Sequence, residues 1–251
     1  MDNRLDRLME SIFTDLNFSL AKKNINKYIE MSENMYIAHK ENSDYFIYIN
    51  LKVAQLNLVT NDIQIKLSSI LKQGCSLFDK LNGETIEISP SFEKNTTLII
   101  FTQTEDETNK DELVKQIISI EEDPYFFKKH VVDISSNHID ILYNGFLENE
   151  RGYTTSLQNL ISDTKLFNEF MVSTKNNLSD KVIEYSFAAK LYEKLPFLTL
   201  SVKSSDPEDL QKSIDDSLSE HQREQCEILL NLNLNDLTSW FDDIVKEKTD
   251  D

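Results

Sequence analysis

TTLIIFT, at residues 96–102, is a continuous run of β-branched and apolar residues with polar segments on both sides. A strand that is buried on both faces has this profile, because none of its positions needs a polar side chain. The stretch therefore predicts a central strand, and the other predicted elements are placed relative to it.

Three more segments before this run have the composition of strands. ETIEIS (84–89) alternates polar and apolar residues and is followed by Pro90, which predicts a strand that ends there. NMYIAH (34–39) and DYFIYINL (44–51) are rich in aromatic and β-branched residues and flank a short polar loop. We expect these two to form a β-hairpin.

Two helices are predicted in the same part of the chain. Residues 3–18 carry an apolar stripe at helical spacing, which fits either a core helix or a helix that docks on a partner. A second helix is predicted after Asn61, a candidate N-cap, and it ends at one of two possible terminators, Gly74 or Gly83. Its apolar face consists of Ile63, Leu67, Ile70 and Leu71.

Beyond residue 105 the pattern becomes mainly helical. TEDETNKDELVKQIISIEE (104–122) begins with acidic residues, which are favoured at the start of a helix. A late strand is possible at FLTLSV (197–202). Further helices are predicted at 137–149, 155–175, 179–195, 207–231 and 235–248.

These elements predict an α+β protein. Residues 1–105 form an α/β part with a small mixed sheet, and residues 106–251 form a mainly helical part that ends in acidic helices. Hydrophobic residues make up 39% of the chain, and aromatic residues are frequent enough to expect a folded core.

The chain is strongly acidic. Its 251 residues include 44 acids and 26 bases, so the formal net charge is −18, and residues 204–251 hold 14 of the acids and 4 of the bases. A negative field of this kind opposes binding to nucleic acid or to an anionic membrane. It is typical of a solubilising surface, or alternatively of acidic helices that bind a basic protein.

The number and spacing of the cysteines and the length of the apolar runs indicate the cellular compartment. Cys75 and Cys226 are the only cysteines and form no paired motif, and we recognise no secretory leader. No apolar run is long enough to span a bilayer. We therefore expect a protein of the reducing cytoplasm without membrane contact.

Catalytic motifs are absent from the sequence. Its four glycines form no phosphate-binding loop, and its four histidines form no metal-binding pair. A metal-dependent nuclease would need carboxylates on adjoining strands with a lysine near them, and Glu84 and Glu87 offer only part of that set. We expect no catalytic, cofactor or metal site.

The segment EEDPYFFKKH (121–130) is dense in charged and aromatic residues. Asp123 and Pro124 together predict the start of a new helix. Three consecutive aromatics on a helix span roughly 200° of its circumference, so they cannot all face one core. Either they pin a corner of the core, or one of them is exposed and forms a protein-binding hot spot.

TTLIIFT, the acidic loop after it and IISIEEDPYFFKKHVV (117–132) together resemble the middle components of bacterial three-component ABC-ATPase systems. The Lamassu anti-phage defence systems are the best-known group of these. The resemblance covers about residues 95–135 and includes no catalytic motif. It implies a non-enzymatic adaptor that bridges an SMC-like (Rad50-like) ABC ATPase and an effector, often a nuclease, with only indirect contact to DNA.

Ten residues are predicted to form the protein interface. Eight belong to the segment just described, and two belong to an apolar stripe near the C-terminus that fits either a core helix or a docking helix. They are Glu121, Glu122, Asp123, Tyr125, Phe126, Phe127, Lys128, Lys129, Trp240 and Phe241.

Two other functions remain open from the sequence. One is a nuclease or hydrolase with a divergent carboxylate site. The other is an acidic inhibitor or DNA mimic that uses the charge of residues 204–251 to occupy a basic groove.

Overall fold

The computed structural model describes nine stretches of the chain. They are residues 3–29, 34–41, 44–74, 78–83, 85–105, 108–147, 152–173, 178–200 and 218–231. The strands are β1 Ser19–Asn24, β2 Asn34–His39, β3 Tyr45–Lys52, β4 Asp79–Asn82, β5 Thr96–Thr104 and β6 Lys128–Ser135. The α-helices in these stretches are α1 Asn3–Asp15, α2 Gln64–Lys72, α3 Lys110–Glu121, α4 Ile139–Leu147, α5 Tyr153–Ile161, α6 Thr164–Val172, α7 Asp180–Lys194 and α8 Glu220–Asn231.

The six strands form one mixed sheet in the order β4-β1-β2-β3-β5-β6. The pairs from β4 to β3 are antiparallel, whereas β3, β5 and β6 run parallel. The segment predicted as a central strand is β5, and it pairs along its length with β3 on one side and β6 on the other. Every residue from Thr96 to Thr102 is buried, as a central strand requires.

Helices cover both faces of the sheet. One face, here called the α3 face, packs against α2 and α3 and includes Leu98 and Ile100 of β5. The other, called the α7 face, packs against α1, α4, α5 and α7 and includes Ile99 and Phe101. Successive residues of β5 thus enter opposite cores, which explains why its sequence shows no alternation.

Several predictions are confirmed. The hairpin exists as β2 and β3, and the apolar stripe of α1 lies in the core of the α7 face. Gly74 follows the second helix with a φ of +81°, and its N–H donates to the carbonyl oxygen of Leu71. The α+β class, with a more helical second part, is confirmed as well: five strands precede residue 105 and one follows it.

The strand predicted at residues 84–89 is wrong. Residues 85–89 form no strand, and the fourth strand is β4, which pairs with β1. The Tyr45 hydroxyl donates to the carbonyl oxygen of Glu87 at 2.8 Å and accepts from the N–H of Ser89 at 3.3 Å. A side chain therefore occupies backbone groups that strand pairing would use.

Two helix boundaries also differ from prediction. Asn61 is not an N-cap, because a 3₁₀ segment (Val53–Leu58) and a π turn (Val59–Ile63) lead without a break into α2. The helix predicted at 155–175 is divided into α5 and α6, since the Asp163 side chain caps a new start at Lys165 and Leu166. Residues 197–200 are not part of a strand.

By internal contacts the chain divides into two units, Met1–Leu200 and Ser201–Asp251. The sheet and α1–α7 belong to the first unit. In the second, the described part is residues 218–231, where Ser219 and Gln222 bond each other's backbone N–H at the start of α8. The helix predicted at 207–231 is confirmed over the part that is described.

Candidate protein-interaction site

A sharp corner at residues 122–127 joins α3 to β6. The helix predicted to start at Asp123 and Pro124 is wrong, because the chain bends through these residues and enters a strand. β6 pairs in parallel register with β5 from Lys128 to Ser135. This pairing satisfies the backbone groups that a helix would otherwise satisfy, and it buries Val131 and Val132 in opposite cores.

The buried side chain of Lys129 stabilises the corner. Its ammonium group donates to the carbonyl oxygens of Asp123 at 3.0 Å, Tyr125 at 2.7 Å and Phe127 at 3.0 Å. The side chain is fully buried, and its nitrogen lies 3.0 Å from the carboxylate of Asp123. Three donors therefore meet three carbonyl oxygens of one bend, with a counter-ion beside them.

The Asp123 carboxylate also connects the corner to α2. It accepts a 3.0 Å hydrogen bond from the amide nitrogen of Gln64, a buried residue. Partial burial raises the pKa of Asp123, but the charged Lys129 beside the carboxylate and the hydrogen bond from Gln64 outweigh it, so that the pKa lies below its ordinary value. The ionised form of Asp123 is the one that the corner stabilises.

Phe126 occupies a strained backbone position at the tip. The N–H of Phe127 donates to the carbonyl oxygen of Tyr125 at 2.9 Å, and Phe126 between them has a φ of +62°. This is a γ-turn with a left-handed central residue, the rare and strained form, which suits glycine and not a bulky aromatic. Such strain persists where the surrounding structure enforces it, and it occurs often at functional sites.

The three aromatics of the corner have different environments. Phe127 is buried in the core of the α3 face and lies 6.3 Å, ring to ring, from Phe92. Tyr125 is 68% exposed and Phe126 is 37% exposed. Only one of the three therefore packs in the core, and the other two are exposed to solvent.

The helix before the corner also exposes apolar side chains. Val114 and Ile118 are four residues apart on one face of α3 and are 52% and 47% exposed. The opposite face of α3 is the one that packs on the sheet, through Leu113 and Ile120. We call Val114, Ile118, Tyr125 and Phe126 the α3–corner surface.

Glu121 and its neighbour Glu122 have different surroundings. The carboxylate of Glu121 accepts from the N–H of Val131 at 2.9 Å and pairs with the ammonium of Lys194 on α7 at 2.7 Å. It therefore joins the end of α3 to β6 and to the opposite layer. Glu122 is exposed, as is Lys128.

The eight predicted residues of this segment thus lie together but divide into two groups. Four support the corner from within: Glu121, Asp123, Phe127 and Lys129. Four are exposed on it: Glu122, Tyr125, Phe126 and Lys128. Trp240 and Phe241 lie outside the described residues, and their predicted interface role stays a prediction.

The exposure of Val114 and Ile118 was not predicted from the sequence. Five apolar residues between positions 113 and 120 are more than one face of a single helix accommodates, since each residue advances about 100°. That excess was the available signal.

Among the described residues, no group of three His, Cys, Asp or Glu residues is placed to hold a metal ion. Within the same stretches, no helix combines the length and the hydropathy that crossing a bilayer requires.

Comparison with known proteins gives one family match. Residues 44–151 match the family described as ABC-three component (ABC-3C) system Middle Component 1. The matched segment runs from β3 through α4, covers less than half of the chain and contains the whole α3–corner surface. It supports the similarity to middle components of three-component ABC systems. No curated protein and no solved structure matches the chain.

Proposed function

We propose that this protein is a non-enzymatic accessory subunit of a bacterial three-component anti-phage defence complex of the Lamassu type. In this proposal it works in the cytoplasm and binds an SMC-like (Rad50-like) ABC ATPase through the α3–corner surface. It also holds an effector, often a nuclease, and reaches DNA only through the complex.

The observation that carries the proposal is the construction of the corner. A buried lysine, a buried phenylalanine and an ion pair hold Tyr125 exposed and Phe126 in a strained backbone conformation. A fixed aromatic pair loses little conformational entropy when a partner covers it, and aromatic residues are frequent hot spots of interfaces. The similarity to middle components suggests the partner, because it includes this segment.

The charge of the chain supports a protein partner of opposite sign. Its formal charge of −18 disfavours direct binding to the DNA backbone and favours fast association with a basic surface. Exposed charged residues, Glu122 and Lys128, stand near the exposed aromatics Tyr125 and Phe126 in the sequence, and interfaces commonly combine apolar with polar side chains in this way.

The test is to co-express the chain with the ABC ATPase of the proposed three-component complex and to isolate that complex. Amide hydrogen exchange of residues 114–126 should slow on complex formation, while α6, on another part of the surface, should exchange unchanged. Unchanged exchange at 114–126 in a complex that does form would contradict the assigned surface. Cleavage of DNA or RNA by the isolated chain with Mg²⁺ or Mn²⁺ would contradict the non-enzymatic role.

A further inference from the structure

A crevice opens where β5 and β6 end. These strands are parallel neighbours, yet the helices that follow them cover opposite faces of the sheet. α3, after β5, buries Leu113 and Ile120 on the α3 face, whereas α4, after β6, buries Ile139 and Leu142 on the α7 face. Where adjacent parallel strands send their connections to opposite faces, a crevice forms at their carboxyl ends, and α/β proteins bind ligands there.

A cavity of about 360 Å³ lies at this position. Ligand pockets generally fall in the range of roughly 300 to 1,000 Å³, so its volume suits a small organic molecule. The lining residues come from β5, β6 and the helices α3, α4 and α7 around their ends. They include Lys110, Asp133, Ser135, Ser186, Phe187 and Lys190.

The polar part of the lining favours an anionic group. Two lysines and one aspartate line the cavity, an excess of one positive charge in a chain that is otherwise strongly negative. The ammonium of Lys190 is fixed by the carboxylate of Asp133 at 2.8 Å and by the backbone oxygen of Asp133 at 2.9 Å. Lys110 belongs to the first turn of α3, where the helix dipole also favours negative charge.

The remaining wall is apolar. Ile134 and Phe187 are buried side chains of the α7 face, and Ile183 and Leu142 stand beside them. If a ligand contacted only the lysines, the apolar side of the cavity would remain in contact with water. The lining therefore suits a molecule with an anionic group at one end and an apolar ring at the other.

The geometry points to a binding site for a small organic phosphate with an aromatic ring, of the size of a nucleoside monophosphate. The sequence after β5 contains no glycine-rich motif of the kind that binds phosphate through backbone amides, so the proposed phosphate contacts come from side chains. Lys110 and Lys190 bind the phosphate, with the hydroxyl of Ser135 near them, and the ring lies against the apolar wall. This site is separate from the α3–corner surface and does not depend on the function proposed for it.

The experiment is isothermal titration calorimetry of the full chain with adenosine monophosphate, adenosine and ribose 5-phosphate. We expect saturable binding of adenosine monophosphate and binding at least tenfold weaker for each of the other two. Lys110→Met should weaken binding of adenosine monophosphate roughly tenfold, because it removes a charged hydrogen bond. Lys115→Met, which changes the same charge on an exposed position of α3 outside the cavity, should leave binding unchanged.

A second variant tests the cavity itself. Ser186→Phe fills it from α7 and should abolish binding while the circular dichroism spectrum stays that of the wild type. Three results would overturn the inference: no saturable binding of adenosine monophosphate at millimolar concentration, equal loss with Lys115→Met, or unchanged binding in Lys110→Met. Equal affinity for adenosine would overturn the phosphate assignment, and equal affinity for ribose 5-phosphate would overturn the assignment of the ring.

Discussion

The ammonium of Lys129 lies 2.7 Å from the carbonyl oxygen of Tyr125, so a buried residue of β6 fixes the backbone of an exposed aromatic. Lys129 contributes nothing to the surface by its own contacts. Its effect is to hold residues 122–127 in one conformation before any partner binds. This relationship separates residues that build the corner from residues that act on it.

Replacement of Lys129 should destabilise the fold. Lys129→Met leaves the Asp123 carboxylate and three carbonyl oxygens without their buried donor, and breaking a buried ion pair in this way costs about 3 kcal/mol or more. Urea unfolding measures the change. Lys128→Met is the matched control, since its side chain is exposed and its effect should stay within about 0.5 kcal/mol. Equal effects of the two variants would refute the role given to Lys129.

Glu121 and Glu122 form a second matched pair. Glu121→Ala removes the acceptor of the Val131 N–H and the partner of Lys194, so the free energy of unfolding should fall by about 2 kcal/mol. Glu122→Ala should change it by less than about 0.5 kcal/mol, because that residue is exposed. Thermal unfolding followed by circular dichroism distinguishes them, and a reversed order would mean that Glu121 is not the connecting residue.

The left-handed backbone at Phe126 predicts an unusual preference for glycine. Phe126→Gly and Phe126→Ala remove the same aromatic ring, so their difference reports the backbone alone. The glycine variant should be the more stable by roughly 1 kcal/mol, because a side chain in the left-handed region is disfavoured. At most positions alanine is the more stable of the two. If urea unfolding showed Phe126→Ala to be more stable than Phe126→Gly, the turn would not be strained.

Two carboxyl groups should give pH dependences of opposite sign. Asp6 lies on the buried side of α1 and accepts from the hydroxyls of Tyr36 at 3.0 Å and Tyr48 at 3.1 Å. Burial raises its pKa above the ordinary value, and these hydrogen bonds offset the rise only in part. A raised folded-state pKa contributes stability that is fully present below the unfolded pKa and is lost as the pH rises through the folded value. Asp123, whose pKa is lowered, contributes stability that is present above the unfolded pKa and is lost as the pH falls through the folded value.

Unfolding of Asp6→Asn and Asp123→Asn at pH 3, 5 and 7 tests both signs. The stability of Asp6→Asn relative to the wild type should increase as the pH rises, because the wild type loses the contribution of Asp6. The stability of Asp123→Asn relative to the wild type should decrease over the same range. Parallel pH profiles for the two variants would contradict the assigned environments.

Much of the fold follows from local pattern. The run at 96–102 identified β5 because the residues of both of its faces are suited to an apolar core, and the spacing of Leu5 to Phe13 identified α1. Residues 34–39 and 44–51 identified a hairpin because a short polar loop joins them. In each case the pattern lies within a few residues, where periodicity is informative.

The wrong predictions concern segments whose secondary structure depends on contacts with residues that are distant in the sequence. Asp123 and Pro124 have the sequence of a helix start, but the residues that follow the bend pair in parallel with β5 and form β6. The alternation at 84–89 resembles a strand, but the Tyr45 hydroxyl occupies its backbone groups. Local propensity is overridden by tertiary contacts in both cases.

The candidate site was predictable in place but not in detail. Different environments for Tyr125, Phe126 and Phe127 were predicted on the assumption of a helix that does not form, and the sequence does not show that Phe127 is the buried one. Lys129 has the composition of a surface residue, and its burial depends on carbonyl oxygens that the bend collects. The crevice at the end of β5 and β6 has no local signal, because it arises from the direction of two connections.

The affinity of Phe126→Gly for the ABC ATPase is the most direct test of the proposed interface. This substitution suits the left-handed backbone and removes the exposed ring, so it separates binding from folding. We expect its Kd to rise about 30-fold or more, the effect of losing a hot spot of roughly 2 kcal/mol. Phe167→Ala, at another exposed phenylalanine on α6, should bind like the wild type. An unchanged Kd for a folded Phe126→Gly protein would contradict the account.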